Sequence, residues 1–352
     1  MIRKIVFATI ITFTFSCKQS EKTTDNSQKT DFKYAKNISF SEDEHTITIE
    51  SNGNVTSFNK NELPITNVMV ETTAGIAYLN ELEALSAIKG IVDPNYIYNP
   101  EIVSKIKNKE VLEIGNMNEL YLELILQQKP ELIIASTNPI LAKYHQQLEQ
   151  NGVKILYINE YLEHEPLGRL EYLKVFGKIL KKEEIANQRF ESIENKYDSI
   201  KTIIQTQGNG NVTTLMNTMF GDVWYLPAKN TLQEKLINDA KGNYIFNKKQ
   251  SDNALNLSFE EVYAEAKNAT HWINPSYNSL AQMKASYPNY SWFEAYKNGN
   301  VYNSNKRSNA NGAQDYFEQG IIRPDIILND LGKIFYPELF PNYELYFYQQ
   351  LK

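Results

Sequence analysis

The sequence predicts an α/β protein with two lobes, each with a mainly parallel sheet, joined by a long rigid helix and preceded by an N-terminal β-hairpin. At 352 residues the chain exceeds what one hydrophobic core usually fills. Short β-branched runs alternate with helical stretches on both sides of residues 185–204. That segment is apolar at spacings of three and four residues, at Phe190, Ile193, Tyr197, Ile200 and Ile204. Such spacing predicts a helix with one buried face.

The composition is that of a soluble globular protein. Apolar residues make up 42% and charged residues 22% of the chain, and the net charge is −6. A net acidic chain disfavours a nucleic-acid partner, because phosphate binding needs a basic face. The single cysteine, Cys17, excludes an intramolecular disulfide and a cysteine-rich zinc site.

Residues 1–16 are predicted to be a signal peptide. Positive charge at residues 1–4 precedes an apolar run that is shorter than the roughly 20 residues of a spanning helix. The junction resembles a bacterial lipoprotein signal, with Thr14 where leucine is usual, and this resemblance implies lipidation of Cys17. An ordinary signal peptide with an unmodified cysteine is the alternative. Residues 17–30 are expected to form a flexible polar tether.

The remaining chain divides into four predicted parts. Residues 31–63 form the N-terminal β-hairpin extension, because apolar and polar residues alternate around an Asn-Gly pair that favours a type I′ turn. Residues 64–175 form a first Rossmann-like lobe of alternating strands and helices. Residues 176–206 form the connecting helix, about 36 Å long for about 24 helical residues. Residues 207–352 form a second Rossmann-like lobe.

No motif commits the chain to catalysis. The sequence lacks the GxxxxGK[ST] and GxGxxG phosphate cradles and the GxSxG motif. Its histidines, at 45, 145, 164 and 271, are far apart in sequence. We therefore predict no catalytic residue, no metal site and no cofactor. A Ser/His/Asp site assembled from distant residues stays open, since geometry and not chain order defines such sites.

Several segments resemble the iron-complex and cobalamin type of periplasmic substrate-binding protein, the class III type that feeds ABC importers. They include ETTAGIAYLNELEALSAIKGIV, ELILQQKPELIIAS and TLQEKLINDAKGNYIF. The closing NGAQDYFEQGIIRPDIILNDLGKIFYPELF resembles a Bacteroidetes lipoprotein branch of that family. Together the similarity runs from about residue 31 to the end of the chain.

The resemblance implies a binding protein and not an enzyme. It implies two lobes around one rigid helix, with a small-molecule metal chelate held between their facing loops. The chelate would be a ferric siderophore first of all, or haem or cobalamin. The partner would be an ABC permease in the inner membrane, and the protein would be a lipid-anchored monomer of the cell envelope.

The resemblance also implies an acidic docking residue on each lobe, facing permease arginines. Alignment on the Lys-Pro pair at 129–130 places the first at Glu123. In the second lobe the matching position is Asn238, which departs from the family pattern. The nearby acids Glu234 and Asp239 are the only candidates there, and Asp239 is the residue predicted.

Position in the fold predicts the ligand contacts. Ligands of open α/β lobes lie outside the carboxyl ends of the strands, and aromatic rings in those loops suit bulky planar or chelate ligands. The predicted contacts are Thr73, Tyr96, Tyr98, Asn116, Trp224, Tyr277, Arg307 and Tyr316. With 23 tyrosines in the chain, many must instead lie in the core or on the surface. Arg307 offers a planar fork for ligand oxygens, or is a solvated loop residue.

Two other functions stay open at this point. One is an envelope hydrolase or metal-dependent enzyme that uses the scattered histidines on a two-lobe scaffold. The other is a surface protein that has kept the binding-protein fold and binds a protein partner, for which Asn238 at the docking position is the motivating observation.

Overall fold

A computed structural model describes residues 28–30, 32–249 and 254–352. The predicted fold class is confirmed. Along the chain, an antiparallel sheet comes first, and a long helix then separates two mainly parallel sheets. The predicted signal peptide, Cys17 and the tether up to residue 27 fall outside the described residues. Within the described ranges, no helix has the length and apolar character needed to cross a membrane.

The N-terminal sheet contains the predicted hairpin but is larger. Its four antiparallel strands, in spatial order, are β1 (Gln28–Thr30), β2 (Ile38–Glu42), β3 (Thr46–Ser51) and β4 (Asn54–Asn59). Asn52 and Gly53 have φ of 49° and 80°, as a type I′ turn requires. Residues 28–30, expected to be tether, instead pair with β2 and cover its otherwise open edge. The sheet is joined to the first lobe by the Thr56 hydroxyl, which donates to the Ile155 carbonyl at 2.6 Å.

The first lobe is a six-stranded sheet with helices on both faces. Its strands are β5 (Val68–Val70), β6 (Ile88–Val92), β7 (Leu112–Asn116), β8 (Glu119–Leu120), β9 (Leu132–Ala135) and β10 (Ile155–Tyr157). Its helices are α1 (Thr73–Glu81), α2 (Pro100–Lys107), α3 (Leu122–Gln128), α4 (Ala142–Gln150) and α5 (Pro166–Ile179). The strand order is β10-β9-β5-β6-β7-β8, with only the β8 pairing antiparallel in this sheet.

The side chains of the first sheet explain its layers. All four residues of β9 are buried, as expected of a strand covered on both faces. Val68 and Val70 join the core that contains residues of α1 and α5, while Met69 joins a separate core with residues of α3 and α4. The alternation of side chains along β5 therefore supplies both faces of the sheet.

The long helix, α6 (Glu183–Gln207), has 25 residues and links the two lobes. It packs against α5 of the first lobe and against the last helix of the second lobe. Residues 176–179, which were expected to begin it, belong to the end of α5. Lys181 has a φ of 51°, and this left-handed residue separates the two helices.

The second lobe repeats the parallel architecture with a smaller sheet. Its strands are β11 (Thr213–Met216), β12 (Met219–Phe220), β13 (Val223–Pro227), β14 (Asn243–Tyr244), β15 (Ala254–Leu257), β16 (His271–Ile273), β17 (Val301–Asn303) and β18 (Gln349–Gln350). Its helices are α7 (Leu232–Asp239), α8 (Phe259–Ala266), α9 (Leu280–Ser286), α10 (Glu294–Lys297) and α11 (Pro324–Phe335). The main sheet has the order β14-β11-β16-β17-β18, with β18 antiparallel, and β12-β13-β15 form a small antiparallel sheet.

Candidate functional site

A cavity of about 580 Å³ lies at the carboxyl ends of the first-lobe strands. The wall on that side is made by residues that follow β5, β6, β7 and β9, among them Glu71, Thr73, Asp93, Tyr96, Met117 and Ser136. The opposite wall comes from the second lobe, at Gly312, Ala313, Gln314 and Phe317. The cavity is therefore an inter-lobe site at the position where parallel α/β sheets bind ligands.

The start of α1 sets one edge of the cavity. The Thr72 side chain accepts a hydrogen bond from the Gly75 N–H and caps the helix. A Cβ at Gly75 would lie 2.6 Å from Cγ1 of Val70, so glycine lets α1 approach β5 closely. Thr73 follows the cap, and its hydroxyl donates to the Phe317 carbonyl of the second lobe at 2.7 Å.

Glu71 is the buried acid of the cavity wall. Its carboxylate oxygens both lie 3.1 Å from Nε2 of His145, which is 1% exposed. The Tyr157 hydroxyl lies 3.1 Å from Nδ1 of the same ring. Burial raises the pKa of Tyr157 to about 12, so the phenol stays protonated and is available as a donor to Nδ1. With Tyr157 donating, the ring donates from Nε2 to Glu71.

Asp93 is the second acid of the wall and has an uncommon backbone. Its φ is 48°, in the left-handed region that few residues other than glycine adopt. The conformation is held by two hydrogen bonds, from the Asp93 N–H to the Gly115 carbonyl and from the Tyr96 N–H to the Asp93 carbonyl. Its Oδ2 is buried and has no hydrogen-bond partner in the described part of the chain.

Hydrogen bonds between the lobes hold the loop that carries Asp93 and Tyr96. The Tyr98 N–H donates to the Glu318 carboxylate at 2.9 Å, and the Asn309 side chain donates to the Ile97 carbonyl at 2.8 Å. Burial, with a smaller effect of the Asp315 charge, raises the pKa of Glu318 to about 7. Two lobes joined in this way present a largely pre-formed cavity.

Among the predicted ligand contacts, the structure brings Thr73 and Tyr96 into the cavity wall. Asn116 is adjacent to Met117, which lines the cavity, but its own Oδ1 accepts from the Asn118 N–H at 2.9 Å. These three residues lie on the loops predicted to form the first-lobe side of the cleft. Ligand contact by them stays a prediction.

Arg307 and Tyr98 meet each other instead of the cavity. The Arg307 guanidinium lies 5.5 Å from the centroid of the Tyr98 ring and 4.3 Å from that of Tyr346. Its Nε donates to Asp315 at 2.6 Å. Asp315 engages one nitrogen of the Arg307 guanidinium, and Arg307 is not among the residues that line the cavity, so ligand contact by it stays a prediction. It joins the two lobes beside the cavity.

Trp224 does not face the cleft, and that prediction is wrong. The residue is fully buried, its ring stacks on Trp272 with centroids 5.5 Å apart, and its Nε1 donates to the Met216 carbonyl at 3.0 Å. Side chains alternate along β13, and Trp224 falls on the face that packs on the second-lobe core.

Tyr277 and Tyr316 also lie outside the cavity lining. Tyr277 packs against the core, and its hydroxyl donates to the Ser286 hydroxyl at 2.9 Å. The Tyr316 ring packs edge-on against Phe347 and Tyr348. Phe317, the next residue, takes the cavity position instead. No sequence signal distinguishes it from Tyr316.

Glu71 and Asp93 were missed as individual site residues. Each stands directly after a parallel strand, β5 for Glu71 and β6 for Asp93, so strand-end position was the available signal. The ligand contacts were predicted mainly from aromatic residues in the same loops, and carboxylates were not considered.

The two predicted docking acids differ in their surroundings. Glu123 is exposed in the first turn of α3. Asp239 accepts from the Tyr197 hydroxyl at 2.6 Å and pairs with Lys201 at 2.8 Å, both on α6. Asp239 therefore already has two partners on the long helix, and permease docking through it stays a prediction. Glu234 does not replace it, since Glu234 is buried and accepts from the Asn238 amide.

The described residues include no group of three or more histidine, cysteine, aspartate or glutamate side chains placed to hold a metal ion. His145 is bound to Glu71 and Tyr157, and burial lowers the pKa of His271 to about 4.

Comparisons with known proteins agree with this architecture. The family model described as periplasmic binding protein matches residues 76–307. An uncharacterized lipoprotein of Methanocaldococcus jannaschii is 26% identical over 296 residues, which cover 81% of this chain and 69% of that protein.

Solved structures show the same fold. The petrobactin-binding protein YclQ from Bacillus subtilis superimposes with a TM-score of 0.61 at 16% identity, covering 83% of this chain and 99% of that one. The periplasmic heme binding protein HutB of Vibrio cholerae gives 0.60 at 14% identity, covering 77% and 99%.

Proposed function

This chain belongs to the periplasmic binding protein family, and from that premise we propose that it is the solute-binding component of an ABC importer. It captures an iron complex in the inter-lobe cavity and delivers it to an inner-membrane permease. A ferric siderophore is the first candidate, and haem and cobalamin are the others. Among proteins that share the fold are one that binds petrobactin and one that binds haem.

The cavity is the observation that carries the proposal. Its volume of about 580 Å³ is within the range of small-molecule sites. Three large side chains in its lining are well exposed: Tyr96 at 64%, Met117 at 57% and Phe317 at 59%. Apolar surface gathered at one concave site in this way supports binding of an apolar or aromatic ligand, whose contact would remove that surface from water.

We propose capture and release without a chemical step. The histidines of an enzyme alternative are poorly suited to catalysis, because His145 is buried and held between Glu71 and Tyr157. His271 lies on β16, hydrogen-bonded to Thr270, and is not in the cavity lining.

A lipid on Cys17 would hold the protein at the envelope membrane, where it would act as a monomer. The archaeal relative is itself described as a lipoprotein. Docking would use Glu123, which is exposed in the first turn of α3. In cells, Glu123→Arg should reduce uptake of the ligand while leaving binding by the purified protein unchanged. Unchanged uptake would refute docking through Glu123 and favour the protein-binding alternative.

The direct test is a titration of the purified protein with ferric siderophores, haem and cobalamin, followed by intrinsic fluorescence. At least one class should bind, and Tyr96→Ala should weaken it about tenfold or more, since an aromatic contact of about 1.5 to 3 kcal/mol is lost. Tyr225→Ala is the matched control, because Tyr225 is 44% exposed and outside the cavity lining. Absence of binding in all three classes would refute the iron-complex proposal.

A further inference from the structure

The described residues of the cavity wall include acidic side chains and no basic ones. Among the described residues that line it, Glu71 and Asp93 are the carboxylates, and lysine, arginine and histidine are not represented. We propose that the site selects a cationic or neutral chelate and discriminates against anionic ones. This inference rests on the proposed function, and it concerns the charge of the ligand, which the family does not determine.

Glu71 supplies a charge that water screens poorly. Its side chain is 4% exposed, and its position is set by His145 behind it. Charges in such low-dielectric surroundings act over longer distances than surface charges do. A ligand in the cavity therefore experiences the Glu71 carboxylate with little attenuation.

Asp93 has a carboxylate oxygen that lacks a hydrogen-bond donor among the described residues. Its Oδ2 is shielded from solvent without a hydrogen-bond partner within the described ranges, and a buried carboxylate oxygen is costly unless a donor or cation satisfies it. The left-handed backbone at this residue keeps the carboxylate at the end of β6, although the side chain does not cap the turn that follows. An ammonium or other N–H donor on the ligand would supply the missing partner.

Two cations that precede the second-lobe wall in the chain already have partners. Arg307 is paired with Asp315 and packed between Tyr98 and Tyr346. Lys306 donates to the Leu345 carbonyl. Neither lines the cavity, so neither offsets the charges of Glu71 and Asp93 there.

The test uses one ferric chelate in three charge states. A ferric trihydroxamate with a free terminal ammonium, its N-acetyl form and its N-succinyl form carry charges of about +1, 0 and −1 on the same iron core. A unit charge at cavity distances changes affinity by about tenfold or more. We expect the ammonium form to bind tightest and the succinyl form to bind at least about tenfold more weakly, by fluorescence titration at pH 7.5.

Isosteric variants connect the preference to the two acids. Asp93→Asn and Glu71→Gln should each reduce severalfold the ratio of the affinities for the ammonium and succinyl forms. Asparagine is suitable at position 93 because it tolerates the left-handed backbone there. Glu113→Gln is the control, since Glu113 is exposed on β7 and outside the cavity lining. Equal unfolding temperatures of the variants would exclude a folding defect as the cause. If the affinity ratio were unchanged in both cavity variants, the assignment of the charge preference to Glu71 and Asp93 would be overturned.

A metal-free pair separates this inference from the proposed function. Phenethylammonium and 3-phenylpropanoate have similar size and opposite charge, and calorimetry reports their binding without iron. If the cation alone binds while no ferric siderophore, haem or cobalamin does, the charge preference is supported and the iron-complex proposal is refuted. If the succinyl chelate binds as tightly as the ammonium chelate, the inference is overturned and the iron-complex proposal stands. If none of these probes binds, and neither haem nor cobalamin does, both are overturned.

Discussion

Replacing Glu318 by glutamine should make the protein less sensitive to rising pH. Glu318 is 3% exposed, and burial raises its pKa from an ordinary 4.5 to about 7. A carboxyl whose pKa is higher in the folded state binds its proton more tightly there. Its stabilising contribution is present below about pH 4.5 and is lost as the pH rises through about 7. Over the whole titration, the pKa difference lowers the free energy of unfolding by about 3 kcal/mol. About 2.5 kcal/mol of this loss occurs between pH 5 and 8.5.

The assay compares the free energy of unfolding of Glu318→Gln and the unmodified protein in urea at pH 5 and at pH 8.5. All three tryptophans, at 224, 272 and 292, lie in the second lobe, so their fluorescence reports unfolding of that lobe. The difference between variant and unmodified protein should move by about 2.5 kcal/mol in favour of the variant as the pH rises. Any pH-independent effect of the glutamine amide on the free energy of unfolding is the same at both pH values and cancels in this comparison.

Glu344→Gln is the control, because Glu344 is exposed on the same lobe. It should show no such pH dependence. If the stability difference between Glu318→Gln and the unmodified protein were equal at both pH values, the carboxylate would not be desolvated as the structure places it. Burial of the Glu318 carboxylate at the inter-lobe contact would then be refuted.

Three further substitutions test the packing around the site. Trp224→Ala should lower the free energy of unfolding by about 3 to 5 kcal/mol, measured by circular dichroism, and leave ligand affinity within about twofold; a selective loss of affinity would show that the ring contacts the ligand after all. His145→Ala leaves a buried carboxylate unpaired and should cost about 3 to 5 kcal/mol, much of it recovered when Glu71→Ala is added; no recovery in the double variant would contradict the pairing. Gly75→Ala places a Cβ 2.6 Å from Val70 Cγ1 and should cost about 1 to 3 kcal/mol in urea unfolding, with partial rescue by Val70→Ala; additive effects would mean that the two do not touch.

Much of the fold was predictable because its signals are local. The Asn-Gly pair at 52–53 determines a turn by its own backbone preferences, and the structure has that turn. Apolar residues along residues 185–204 predict a one-sided helix, and four of the five are buried in α6. The uninterrupted apolar run of β9 predicts a covered strand for the same reason. Each of these patterns lies within a few residues of the element it forms.

The candidate site was predictable only in outline. Strand-end loops were predicted as its location, and the cavity lies there, with Thr73 and Tyr96 in its wall. Which rings face the cavity was not predictable, because Trp224 and Tyr96 carry similar local signals and differ in what packs against them. The neutralisation of Asp239 depends likewise on Lys201 and Tyr197, which belong to another helix.

The sequence by itself determined that this chain is a two-lobe α/β protein with a long helix between the lobes, since periodicity and turn residues act over short stretches of chain. Only the tertiary structure decided that Glu71 and Asp93 form the acidic wall of a cavity and that residues 312–314 and Phe317 close it. The two walls of the cavity are more than 200 positions apart in the chain. Contacts over such separations arise from packing and burial, which no local pattern encodes.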